Sequence, residues 1–496
     1  MIRLRVGEVA SVVGAEVHPG SGVTADLDRA ATHVTADSRA VAPGSLFVAL
    51  VGERVDGHAY VAGAFAQGAV AALVAHPVHD APGPQLVVAD PLAALGRVAR
   101  HVVDRARRTH LRVVGLTGSQ GKTSTKDLLG VVLAAAGPTV APAGNLNNEL
   151  GVPLTVARVE PETRFLVAEM GARGIGHIAY LCTIAPPDVA VVLNVGHAHV
   201  GEFGGREAIA QAKGELVEAL GPDGVAVLNR ADPRVWAMRS RTRGRVLPFA
   251  VVDADGTTPE EPDAVWADGL VGDERGRYTF SLHVRTGGTE GSATVALRGT
   301  GRHQVANATA AAAAATALGL DVATIADALG TAEAASRWRM EVHDRADGVT
   351  VVNDSYNANP ASMSAAVETL VELARGRGQG RSRTWAVLGD MLELGAEAPA
   401  LHVALAAELA EAGVDEVVAL GEFAPLLVEG QRGRARIASS GAEAAAWVRG
   451  GVRPGDVVLV KASRGLALDV VADEILRSSD SESATGPEGA TAGSGA

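Results

Sequence analysis

Residues 111–125 read L-R-V-V-G-L-T-G-S-Q-G-K-T-S-T, an apolar run that breaks into glycines among small polar residues. A helical pattern follows, with Leu128, Leu129, Val132 and Leu133 on its apolar side. This is the layout of a loop that holds a phosphate chain. Gly118 and Gly121 allow backbone N–H groups to wrap an anion, and the helix that follows points its positive dipole end the same way. The expected nucleotide contacts run from Gly118 through Ser119, Gln120, Gly121, Lys122 and Thr123 to Ser124. Lys122 would reach the terminal phosphates, and the Thr123 hydroxyl would face a Mg²⁺ ion. The common pattern has its first glycine where Leu116 stands; here that glycine is Gly115, which makes the motif a variant, T-G-x-x-G-K-T.

Three further side chains have the right chemistry. Glu169, in A-E-M-G-A at the end of an apolar run, is a hard oxygen ligand suited to Mg²⁺. His199, in N-V-G-H-A-H-V-G-E-F-G, follows another such run, and spacing does not choose between it and His197. Lys213 sits inside a helical pattern whose apolar side carries Ile209, Leu216 and Leu220. A helix lysine is ordinarily a solvated charge, so the pattern alone gives Lys213 no role.

These groups need a common scaffold. Runs at 113–117, 165–169, 189–194 and 225–229 read as buried strands separated by helical stretches, the spacing of a doubly wound parallel sheet with right-handed crossovers. In such sheets ligands gather at the carboxyl ends of the strands, where Lys122, Glu169 and His199 all fall. Before this segment, short strands (46–51, 69–74, 86–89) and a helical stretch ending near Gln67 describe a small α/β domain. After a less regular β-rich stretch at 247–298, an alanine-rich helix runs to about Leu318. Strand candidates at 350–353, 385–389, 416–420 and 457–460 form a third α/β unit. N-R-A-D from Asn229 reads as a turn and helix start, and R-G-R-G-Q-G-R-S-R at 375–383 as a basic loop. The expected domains are 1–108, 109–335 and 336–478, with a disordered tail at 479–496 that offers nothing apolar to bury.

Composition narrows the class. At 496 residues the chain exceeds one core, and with aromatics at only 3% its cores must be filled by aliphatic side chains and alanine. A net charge of -13 excludes a nucleic-acid backbone as the expected partner. The single cysteine, Cys182, excludes an internal disulfide framework and a multi-thiolate zinc site. With neither a signal-peptide core nor a membrane span in view, the expected location is cytoplasmic.

The motifs together resemble the Mur ligases, ATP-dependent amide-forming enzymes of peptidoglycan precursor synthesis. The residues carrying the resemblance are T-G-S-Q-G-K-T-S from Thr117, N-L-N-N-E-L-G-V-P from Asn145, A-E-M-G-A from Ala168 and A-H-V-G-E-F-G from Ala198. They continue with A-K-G-E from Ala212, N-D-S-Y-N-A-N-P from Asn353, L-G-D-M-L-E-L-G from Leu388 and V-K-A-S-R-G from Val460. Within the family the Y-N-A-N-P and L-G-D-M-x-E-L-G runs point to the branch that adds D-alanyl-D-alanine to a UDP-N-acetylmuramoyl tripeptide.

The resemblance implies an α/β architecture of three domains, with a P-loop doubly wound sheet between a small N-terminal domain and a Rossmann-like C-terminal one. It implies ATP with two Mg²⁺ ions, catalytic roles for Lys122, Glu169, His199 and Lys213, and a carbamylated Lys213. Metal ligation falls to Thr123, Glu169, His199 and Lys213, while Asn307, Arg339, Asp354 and Asn357 close over the nucleotide. Asp37, Ser38 and Arg39 would hold the uridine diphosphate end, with Asn147 and Asn148 nearer the muramoyl part and Lys461, Ser463 and Arg464 by the peptide substrates. A monomer is expected. Two positions depart from the family pattern: H-Q-V-A-N replaces H-N-x-x-N at 303–307, and Trp338 stands before Arg339 where glycine is common. A folylpolyglutamate-type ligase and a nucleotide-gated regulatory ATPase are the alternative readings.

Overall fold

A computed structural model describes residues 1–21, 25–196, 200–333, 336–376 and 382–477. The histidine expectation at His197 and His199, the tail at 479–496 and most of the basic loop at 375–383 therefore lie outside the described residues. The chain divides into two compact units. The first holds Met1–Val271, Tyr278–Arg298 and His303–Ser336, and the second holds Gly272–Arg277, Gly299–Arg302 and everything from Arg337.

The first unit contains two main sheets. The N-terminal one orders Glu16–His18, Gln85–Val87, Ala71–Val74, Ser45–Val48 and His33–Thr35, parallel except for its first pair. Its last helix, Pro91–Arg107, starts where Asp90 accepts hydrogen bonds from the Leu92 and Ala93 amides and Pro91 takes the first helical position, where no donor is needed.

The central sheet has nine strands, in the order Thr139–Val140, Phe165–Glu169, Arg112–Thr117, Val189–Val192, Val225–Asn229, Arg245–Val251, Ala264–Gly272, Arg277–Thr286 and Thr289–Thr300. The first seven run parallel. The less regular β-rich stretch is thus the extension of this sheet by its last four strands, from Arg245–Val251 to Thr289–Thr300. Alternate strand residues enter two separate cores. Val113, Leu166, Ala168, Ala190 and Val192 face one side, and Val114, Leu116, Val167, Val189 and Val191 face the other. A sheet buried on both faces is the reason these strands are continuous apolar runs rather than alternating ones.

The second face is covered by helices Lys122–Ala134 and His303–Ala317. Residues 310–315 are all alanine and all buried, so alanine fills this core where aromatics are scarce. The other face packs against Arg206–Glu218 and His177–Ile184. Asp232 caps the helix Pro233–Ala237, the helix start expected at N-R-A-D.

The second unit is built on six strands, Glu341–Asp344, Thr350–Asn353, Val457–Lys461, Thr384–Leu388, Glu416–Ala419 and Arg434–Ile437, parallel after the first pair. Among the described residues no helix is long and apolar enough to cross a membrane.

Candidate active site

Register explains why distant motifs meet. Glu169 pairs with Leu116 across one neighbour of the strand Arg112–Thr117, and Val192 pairs with Thr117 across the other. All three strands therefore end at one sheet edge, and Gly118 to Gly121 cross it before the helix Lys122–Ala134 begins. Gly121 has φ +76°, a left-handed conformation that a side chain resists. A Cβ on Gly118 would stand 2.9 Å from the Leu193 Cβ, so this loop also needs glycine for close approach.

The loop is held from beneath by Asn194, whose Oδ1 accepts hydrogen bonds from the Ser119 and Gln120 amides, both at 3.0 Å. Its Nδ2 donates to the Gln120 carbonyl at 3.2 Å. The expected strand 189–194 stops at Val192 because Asn194 has turned to this task. The Gly196 amide donates to Ser119 Oγ at 2.8 Å, and Asp232 accepts from the Val195 amide at 2.8 Å. Lys122 folds back over the loop and donates to the Gly118 carbonyl at 2.8 Å. Asn307 reaches the first turn of the helix after the loop from the alanine-rich helix, accepting from Thr125 Oγ1 at 3.3 Å, while Gln304 accepts from its Nδ2 at 3.0 Å. Gln304, the departure from the family pattern, thus orients Asn307 rather than disturbing it.

Glu169 is buried. Asn147 donates to its Oε1 at 2.8 Å, and its Oε2 has no hydrogen-bond partner. Thr117 Oγ1 and Gln120 Oε1 are likewise buried without partners. Native interiors pair nearly all such atoms, and an unpaired carboxylate oxygen at a phosphate loop fits a divalent cation in charge and hardness. Thr123, buried in the first turn of the following helix, offers a hydroxyl at the same edge.

Lys213 is the group that sequence could least place. It is buried, and its pKa is pushed well below the ordinary lysine value, chiefly by burial and further by the charge of Lys122. Lys122 and Lys213, two of the expected catalytic residues, thus feel each other's field. A neutral amine in such a place is nucleophilic.

Asn148 has a structural task, its Oδ1 accepting from the Gly151 amide at 2.8 Å at the start of a helix. In the N-terminal sheet domain, Asp37, Ser38 and Arg39 form a self-contained turn. Arg39 donates to both carboxylate oxygens of Asp37, through Nε at 2.9 Å and Nη2 at 2.8 Å, and these bonds hold the Asp37 carboxyl down to about 2.

In the second unit, Asn353, Lys461 and Leu388 end neighbouring strands at one edge. Lys461 is buried there, donating to Asp354 Oδ2 at 2.6 Å and to the Asn357 carbonyl at 2.8 Å. It ties the end of its own strand to the loop that follows Asn353. Ser463 makes another tie, accepting from the Leu392 amide at 2.9 Å. Arg339 lies over the Tyr356 ring, 4.2 Å from its centroid, and Asp354 also accepts from the Met340 amide at 3.1 Å. Asp390, not singled out from sequence, organises the adjoining loop by accepting from the Glu422 and Phe423 amides at 2.8 and 3.0 Å. Asn194, Asp232 and Asp390 share one signal in hindsight: a small polar residue within a few positions of a buried strand's carboxyl end.

Residues 30–106 match the Mur ligase family catalytic domain, 116–315 the Mur ligase middle domain and 338–464 the Mur ligase glutamate ligase domain. The UDP-N-acetylmuramoyl-tripeptide--D-alanyl-D-alanine ligase of Mycobacterium tuberculosis is 42% identical over 96% of this chain and 98% of its own. The enzyme of that name from Escherichia coli is 37% identical over 85% of this chain and 87% of its own. Among solved structures, MurF from Acinetobacter baumannii superposes with a TM-score of 0.83 at 32% identity, covering 96% of this chain and 99% of that one. MurF from Thermotoga maritima in complex with ADP gives 0.75 at 29% identity, covering 90% and 97%.

Proposed function

The chain belongs to the Mur ligase family, and we propose that it joins D-alanyl-D-alanine to UDP-N-acetylmuramoyl tripeptide at the expense of ATP, a step of peptidoglycan precursor synthesis. The observation that carries this reading is the likeness to ligases of that name along nearly the whole chain, through all three family segments. It is an ATP-dependent carbon–nitrogen ligase.

A carboxylate is a poor electrophile. In the proposed reaction the terminal carboxylate of the tripeptide attacks the γ-phosphorus of ATP, the bond to the bridging oxygen breaks, and ADP leaves. The resulting acyl phosphate is attacked by the dipeptide amine, the carbon–oxygen bond to phosphate breaks, and amide and inorganic phosphate are released. Lys122 leaves the Gly118 carbonyl to meet the transferring phosphoryl group, and the loop amides held by Asn194 are already set toward the phosphate chain. Two anions about 4 Å apart repel by about 4 kcal/mol at an effective dielectric near 20. Mg²⁺ held by Thr123 and Glu169 would offset that repulsion. Two ions fit the proposal, with His199 assigned to them by family resemblance alone.

Lys213 enters as a carbamate. Burial and the Lys122 charge both favour its free amine, which would add to CO₂ and lose a proton, placing an anion where an ammonium would repel Lys122. Arg39 would exchange Asp37 for the diphosphate of the substrate, with Asn147 and Asn148 nearer the muramoyl part. Lys461 acts by fixing Asp354 and Asn357, and the peptide substrates lie nearer Ser463 and Arg464. The proposal takes the enzyme to be a cytoplasmic monomer.

The test is to incubate the protein with ATP, Mg²⁺, a UDP-muramoyl tripeptide and D-alanyl-D-alanine and to seek the pentapeptide by mass. ATP turnover that neither peptide substrate stimulates would favour the regulatory ATPase instead. Glutamate addition to a folate would favour the folylpolyglutamate-type ligase.

A further inference from the structure

Trp338 has φ +61° and Met340 has φ +52°, left-handed values that cost free energy in residues bearing a Cβ. Such strain persists only where neighbouring bonds impose it. Here the Trp338 amide donates to Glu341 Oε1 at 2.8 Å, and the Trp338 carbonyl accepts from the Tyr356 amide at 3.2 Å. The Met340 amide is held by Asp354, which Lys461 holds in turn. The strained turn is thereby fastened to the loops at the carboxyl edge of the second unit's sheet.

The turn presents the indole to Arg464. The Arg464 guanidinium carbon lies 4.3 Å from the Trp338 ring centroid, and that of Arg337 lies 5.2 Å away. Arg464 follows Ser463 directly, and its Nη1 donates to Asp469 Oδ1 at 2.6 Å, the one hydrogen bond of its side chain to the described residues. One donor of the fork is tied and one face lies over the indole, while about half of the side chain stays open to solvent. A guanidinium held this way takes a carboxylate by two parallel hydrogen bonds.

The indole nitrogen supplies the second observation. Trp338 Nε1 is buried and has no hydrogen-bond partner. A buried tryptophan ordinarily finds an acceptor for that N–H. This one is placed for its face.

We propose that Trp338 is a positioning residue of the ligase reaction, its indole face fixing Arg464 so that the guanidinium edge not used by Asp469 receives a carboxylate of a peptide substrate. The inference rests on the proposed ligase function. The carboxylate is either the free terminus of the incoming dipeptide or one on the muramoyl peptide, and the kinetics distinguish them.

The test compares Trp338→Phe, Trp338→Leu and Trp338→Gly, each alone and with Arg464→Ala, measuring kcat and KM for each substrate with the other two saturating. Leucine keeps bulk without a π face. It should raise KM for one peptide substrate about tenfold, while KM for ATP stays within about twofold. Phenylalanine should restore KM to within about threefold of the parent, since the lost N–H has no partner. Glycine suits the backbone and should match leucine kinetically without lowering the melting temperature. In the Arg464→Ala background the leucine change should add less than about twofold, as two residues acting through one contact do.

D-alanyl-D-alanine amide separates the sources. If Arg464 reads the dipeptide terminus, the amide binds parent and Trp338→Leu equally weakly; if it reads the muramoyl peptide, the KM rise appears there and the amide behaves like the acid. An unchanged peptide KM in Trp338→Leu, an equal rise for ATP, or an undiminished effect without Arg464 would overturn the positioning role. The parent is the control. Failure of the parent to make pentapeptide would refute the ligase function itself, whereas parent turnover with an indifferent Trp338→Leu would refute only the bracing.

Discussion

The Oδ1 of Asn307 stands 2.4 Å from the point a Cβ on Gly121 would occupy. The alanine-rich helix and the phosphate loop are therefore in register to within less than a methyl group. Gly121→Ala meets both this clash and an unfavourable left-handed backbone. It should lower kcat/KM for ATP at least a hundredfold and lower the melting temperature by several degrees. Steady-state kinetics with a thermal melt checks both, and near-parental values would show that the loop has room the structure denies it.

Asn194 holds two loop amides without facing solvent chemistry of its own. In Asn194→Ala the Ser119 and Gln120 amides lose their shared side-chain acceptor, so the loop must be ordered by the nucleotide itself. KM for ATP should rise about tenfold or more, as removal of supporting hydrogen bonds usually costs ~1–2 kcal/mol. Isothermal titration with an ATP analogue measures it directly, and parental affinity would show that the loop keeps its shape without Asn194.

Much of this arrangement is legible from sequence for a physical reason. A strand buried on both faces must be an apolar run, and Phe165–Glu169, Val225–Asn229 and Thr350–Asn353 have the limits the runs predict. The phosphate loop is equally legible, because its glycines are required by backbone conformation. Lys213 is not, since nothing in a helical pattern distinguishes a buried lysine beside Lys122 from a solvated one. Family resemblance puts Lys461 at the peptide substrates, but its burial among Asp354 and Asn357 follows from tertiary packing that spacing does not reveal. The strands from Ala264 onward are blurred in the sequence because they are only half buried, so polar residues interrupt their period.

Glu169→Gln keeps the shape of the site and removes its charge. The amide retains an oxygen for Asn147, but an unpartnered anionic oxygen no longer faces the loop. The Mg²⁺ concentration for half-maximal turnover should rise by about tenfold or more, with the melting temperature little changed, because the amide keeps the shape of the carboxylate. A magnesium titration with unchanged midpoint would contradict the assignment of Glu169 to the metal.

The depressed pKa of Lys213 has a stability consequence with a definite sign. Between its folded and ordinary values the unfolded chain binds the proton that the folded chain does not, so stability rises with pH across that window. In CO₂-free buffer without ligands, Lys213→Met should therefore melt higher than the parent near pH 7. The difference should shrink as pH approaches the ordinary lysine value of 10.5. A constant difference across that range would mean that the amine is not neutral in the folded protein.

The acyl phosphate is the central claim, and the fate of one oxygen tests it most directly. The tripeptide carboxylate is labelled with oxygen-18 in both positions, and the inorganic phosphate released during ligation is examined by mass spectrometry. If the carboxylate attacks the γ-phosphorus and the amine then attacks the acyl carbon, one labelled oxygen must leave with phosphate and the other must remain in the new amide. Phosphate free of label, released in step with pentapeptide, would contradict the mechanism.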